Sequence, residues 1–98
     1  MITFPTTPEA FIAYQEAGIG RKLEVFERKL VEVVVELANG SYQEGVDGTE
    51  NSVTIKYAQE FFRERGKENS EKILRIWESI CWWCDRAYQE GQEAAHHE

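Results

Sequence analysis

The chain is poor in the residues that small folds use for covalent or metal chemistry. Its 98 residues hold two cysteines, two histidines, two prolines and one methionine. One close pair of cysteines is no disulfide framework, so the sequence reads as that of a cytoplasmic protein in a reducing compartment. Both histidines, His96 and His97, are C-terminal, which leaves the rest of the chain without the commonest general base. No run of eighteen apolar residues occurs, so no segment is expected to span a membrane. The opening MITFPTTPEAF lacks a basic stretch and a long apolar one, and is not read as a secretory signal. No glycine-rich phosphate loop precedes a helix. Basic residues are missing between Lys29 and Lys56, where Glu32, Glu36, Glu44, Asp47 and Glu50 all fall.

That gap matters more than the net charge of −7. An acidic chain does not bind nucleic acid through its phosphates, which call for a basic face. The stretch from Lys56 to Arg75 is mildly basic, and Glu90, Glu93 and Glu98 close the chain. The surface is therefore expected to be polarised, its acidic part suited to a basic protein partner.

A length of 98 residues allows one core, and twelve per cent aromatic residues argue against disorder. The spacing predicts an all-α fold, a small three- to four-helix antiparallel bundle in a single domain. Thr7 with Pro8 and Glu9 reads as the start of a first helix, and Gly18 and Gly20 as its end. In a second helix, Leu23, Phe26, Leu30, Val33, Val34 and Leu37 form one stripe, with Val25 and Val35 on the polar side and Asn39-Gly40 as the stop. Residues 40–51 read as an acidic loop. Val53, Ile55 and Tyr57 alternate like a strand, but a helical period accounts for more of the segment up to Gly66. A fourth helix opens near Asn69 or Ser70 and runs to about Gln89, leaving 91–98 as a frayed tail. The chain reads as free of internal repeats.

The stretch Ile80-Cys81-Trp82-Trp83-Cys84 resembles a redox or metal motif in spacing alone. A redox pair sits at a helix start, where the thiol is acidified; this one lies three turns in, on the apolar arc, and reads as two small buried hydrophobes. Zinc would need Cys81, Cys84, His96 and His97 together, although adjacent histidines point apart and the cysteines lie mid-helix. No metal or cofactor is implied. A calcium loop begins at Asp47, Thr49 and Asn51 but then has Ser52 and Ala58 where glycine and glutamate belong. Glu78 and Asp85 lie two turns apart, too far to share one magnesium.

Trp82 stands out. On the helical wheel it falls opposite the apolar arc, among Arg75, Glu78, Arg86 and Gln89, where burial within a simple bundle gains it nothing. Tryptophan beside arginine is enriched at binding hot spots. The sequence thus points to a non-catalytic, acidic protein-binding module, an inhibitor or adaptor using Trp82, Arg86 and Glu78 with Glu32, Glu36, Glu44, Asp47 and Glu50. In size, charge and class it resembles toxin-neutralising immunity proteins and small phage-encoded inhibitors of nucleases, a likeness that no motif carries. Two alternatives stand beside it. One is a nucleotide-binding bundle using the basic turn of Arg63, Arg65, Lys67, Lys72 and Arg75. The other is a homo-oligomer, a homodimer for instance, with Trp82 in the self-interface.

Overall fold

The computed structural model describes residues 2–64 and 71–96, without the side chains of 61–64 and 71–73. Among these residues are four α-helices and no strand: α1 (Pro8–Ile19), α2 (Val25–Asp47), α3 (Ser52–Glu64) and α4 (Glu71–His96). Helix α1 begins as its sequence predicts. Thr7 is extended, its hydroxyl accepts from Ala10 N at 3.2 Å, and Pro8 opens the first turn. The helix closes on Gly20, whose φ of 74° a side chain would resist. Helix α2 is introduced by Glu27, which accepts from Glu24 N at 3.1 Å and holds Arg21 in a two-pronged ion pair at 2.9 and 3.1 Å. That exposed pair raises the Arg21 pKa and lowers that of Glu27.

Consecutive helices are antiparallel. Thr6 bonds Asn39 while Glu16 reaches Arg28, which sets α1 against α2. Thr54 meets Asp85 while Tyr57 lies on Trp77, which sets α3 against α4. The most extensive contact, α2 with α4, is therefore parallel. Val34 and Ile80 line one groove toward the N-terminal halves, and Gly45 meets Tyr88 and Gln92 toward the C-terminal ends.

The seam between these two helices is built from small residues. Val31, Ala38 and Gly45, seven apart, are buried with Ser41 on α2; Ile80, Cys84, Ala87 and Gly91 are buried on α4. A seven-residue spacing keeps one seam turned to its partner along a pair of long helices. At Gly45 and Gly91 the backbones come into direct contact. A Cβ on Gly45 would overlap the Tyr88 carbonyl oxygen, and one on Gly91 would overlap that of Tyr42.

This seam corrects several sequence expectations. Asn39-Gly40 does not stop α2, which runs on to Asp47. The Asn39 amide instead bonds Thr6 N and O at 2.9 and 2.8 Å, tying down the N-terminal segment. The acidic loop shrinks from 40–51 to 48–51. The apolar stripe is turned, with Val35 3% exposed, whereas Val33 is 47% and Phe26 54% exposed. The wheel weighted large side chains, while the packing follows Ala38, Ser41 and Gly45. Residues 91–96 are helix, because Gly91 is part of the contact with α2. Residues 52–64 are helical, as the 3.6 period predicted. The expected helix start at Asn69 or Ser70, and Gly66, lie outside the described residues.

The short turn after α2 is pinned from three sides. Glu44 accepts from Ser52 N and Oγ, Ser41 donates to Asn51, and Tyr88 donates to the Thr49 carbonyl at 2.6 Å. Asp85 accepts from Asn51 at 2.9 Å and from Thr54 at 2.6 Å. These bonds fix where α3 leaves α2 and crosses onto α4.

Candidate protein-binding site

Helix α4 presents Ile80, Cys84, Ala87 and Gly91 to α2, so residues half a turn away face outward. Trp82 is one of them, 56% exposed. Its ring meets Trp83 edge to face, with centroids 4.6 Å apart. The Arg86 guanidinium lies 5.8 Å from the Trp82 ring and 5.7 Å from Trp83. Trp83 is itself held edge-on by Phe11 at 4.9 Å, Tyr14 at 6.1 Å and Phe4 at 6.3 Å. Trp82 thus rests on an aromatic base that ties α1 and the N-terminal segment to α4. A ring fixed in this way loses little freedom when something covers it. Arg86 shares the outer face with Trp82, as the helical wheel places it; the platform under the ring has no such signal in the sequence. Phe4, Phe11 and Tyr14 gave no sign in one dimension that they converge on Trp83.

Glu78, exposed, lies one turn before Trp82. The acidic residues of α2 are elsewhere. Glu32 and Glu36 are exposed on the side of α2 turned away from its buried seam, and Asp47 and Glu50 are exposed beyond them. Because α2 and α4 pack seam to seam, their outer faces point in opposite directions. Glu32 and Glu36 therefore share no patch with Trp82. Glu44 has a structural task, as the partner of Ser52 at the start of α3.

Among the described residues, no group of three or more histidine, cysteine or acidic side chains could hold a metal ion. Cys81 and Cys84 are buried and unbonded to one another. Burial pushes the Cys81 thiol up to about 12, and that of Cys84 upward too, against the opposing influence of the neighbouring Ser41 hydroxyl. Both are poor nucleophiles, consistent with their role as core residues. His97 and the side chains of Arg63, Arg65, Lys67 and Lys72 lie outside the described residues; Arg75 is exposed.

No known family, curated protein or solved structure matches this chain. Among the described residues no helix is long and apolar enough to cross a membrane. One further feature escaped the sequence, an open groove of about 850 Å³ bordered by Leu23, Leu30, Val34, Ile76, Ile80 and Arg75. On the α2 side its apolar lining, Leu23, Phe26, Leu30 and Val34, comes from the stripe expected to be core.

Proposed function

We propose that this chain is a non-catalytic protein-binding module, an inhibitor or adaptor that docks on a basic partner surface through the outer face of α4. The observation that carries the reading is the exposed Trp82, held ready by Trp83 and Arg86. An aromatic side chain exposed on a rigid helix gains most of its burial on binding, and truncating such an anchor costs about 2 kcal/mol or more. Glu78 borders the anchor and offers a charge to a basic neighbour. Glu32, Glu36, Asp47 and Glu50 act at longer range, as part of the field that draws a basic partner in.

The test uses the full chain and its Trp82→Ala variant as matched baits, with light scattering on both. A partner held by the wild type should bind the variant about 30-fold more weakly, and binding should fall as salt rises. A partner that binds both baits alike sinks the proposal. A wild-type oligomer that falls to monomer in the variant would identify the partner as a second copy of the chain.

A further inference from the structure

Helices α2 and α4 carry the same pattern. Adding 46 to each residue number lays Tyr42-Gln43-Glu44-Gly45 on Tyr88-Gln89-Glu90-Gly91 and Glu32 on Glu78. Around these identities several further positions carry similar residues, Leu30 and Ile76, Val34 and Ile80, Ala38 and Cys84, Asn39 and Asp85, Ser41 and Ala87, while others, such as Glu36 and Trp82, differ. The chain read as free of repeats because one four-residue match carries little weight in a string of letters. Packing gives it weight.

Burial keeps the same register. Val35 and Cys81, Ala38 and Cys84, Ser41 and Ala87, Gly45 and Gly91 are all buried, while Glu32 and Glu78, Val33 and Ser79, Gln43 and Gln89 are all exposed. Contacts across the seam are reciprocal. A Cβ on Gly45 would meet the Tyr88 carbonyl and stand 3.0 Å from Gln92 N; one on Gly91 would meet the Tyr42 carbonyl and stand 3.0 Å from Val46 N. Each contact is the other with the two helices exchanged, which is what a two-fold axis imposes on a self-complementary interface. The shorter helices follow. Asn39 bonds Thr6, just before α1, and its counterpart Asp85 bonds Asn51 and Thr54 at the start of α3.

We infer that the chain is one helical hairpin present twice, α1–α2 and α3–α4, closed on a pseudo-two-fold axis between α2 and α4. The α2/α4 seam is then a homodimer interface held within a single chain, and the partner it fits is a second copy of the same hairpin. The axis also sorts the outer surface. Where the first hairpin carries Glu36 and Gly40, the second carries Trp82 and Arg86, two residues one turn apart that touch. Closing the hairpin requires neither of them, since the first copy does without both. Taking Trp82 and Arg86 as a docking pair rests on the proposed function; the axis does not.

Paired spin labels on the full chain test the axis. Exchanging the hairpins turns the pair 36 and 89 into the pair 82 and 43, and all four positions are exposed. The variants Glu36→Cys with Gln89→Cys, and Gln43→Cys with Trp82→Cys, should give the same interspin distance distribution. Two separate maxima, offset by more than the spread of either, overturn the inference. Partner binding does not enter this measurement, so a failure of the docking reading leaves it standing.

Discussion

Replacing Gly91 by alanine should destabilise this protein, although helix propensity alone says the opposite. Within a helix, alanine is favoured over glycine by about 1 kcal/mol. At Gly91 the new methyl would overlap the Tyr42 carbonyl oxygen and lie 3.0 Å from Val46 N. Both obstacles are backbone and cannot rotate aside, so α2 and α4 must move apart. That separation loosens Ala38, Ser41, Cys84 and Ala87, all fully buried. Overpacking costs about 1–3 kcal/mol in general, and a contact shared along two helices belongs at the upper end. After the propensity gain, a net loss of about 2 kcal/mol remains, or roughly 8–16 °C in Tm for a chain of this size. Gly40→Ala is the control. It also lies inside α2, but a Cβ there meets nothing within 4 Å. It should raise Tm by about 4–8 °C. Thermal melts by circular dichroism read both signs. A Gly91→Ala protein that melts higher, alongside Gly40→Ala, would refute the close crossing.

The adjacent tryptophans should separate cleanly. Trp83→Ala removes the ring that Phe4, Phe11 and Tyr14 pack against and should cost about 3–5 kcal/mol, while Trp82→Ala should stay within about 1 kcal/mol; denaturant melts showing the reverse order would contradict the assignment of core and surface. The cysteines should resist iodoacetamide at pH 8 in the folded protein and react once it is unfolded, and rapid native labelling would speak against their burial. On the alkaline side the sign follows from the raised thiol. The unfolded chain loses the Cys81 proton near 9 and the folded chain near 12, so the folded state binds more protons in between and stability falls across that window. Cys81 contributes a slope of about 1.4 kcal/mol per pH unit, which Cys81→Ala should remove while leaving the part due to Cys84; equal slopes in wild type and variant would count against the shift.

What the sequence revealed and what it concealed have physical causes. The start of α1 was legible because Thr7 and Pro8 act within one turn, on local hydrogen bonds. The outward position of Trp82 and the inward position of both cysteines were legible because period alone decides them on a long helix. Asn39-Gly40 misled because a side-chain amide that resembles a helix stop was instead bonded to Thr6, 33 residues away. Val35 misled because its face is defined by alanine, serine and glycine, which carry little weight as hydrophobes yet let two backbones approach. The candidate site was half legible. Trp82, Arg86 and Glu78 do share one face, but grouping them with Glu32 and Glu36 required knowing how α2 and α4 pair, and no local signal encodes that.

The parallel pairing of α2 and α4 also has an electrical consequence. The peptide dipoles of side-by-side parallel helices add, whereas those of antiparallel neighbours cancel. Helices α1 and α3, of 12 and 13 residues against 23 and 26, oppose them only in part. At the C-terminal ends the side chains reinforce the sum instead of offsetting it. Asp47 and Glu93 stand in or near the closing turns, where α2 has no basic residue and α4 has only His96. At the opposite end Arg21, Lys22, Arg28 and Lys29 stand among Glu16, Glu24 and Glu27, so the start of α2 carries no such excess of acid. The α2/α4 pair is thus also an electric axis, with its negative pole at the C-terminal ends of the two long helices. In the field of a basic surface the molecule turns that pole forward, so its angle of approach is chosen before any side chain touches.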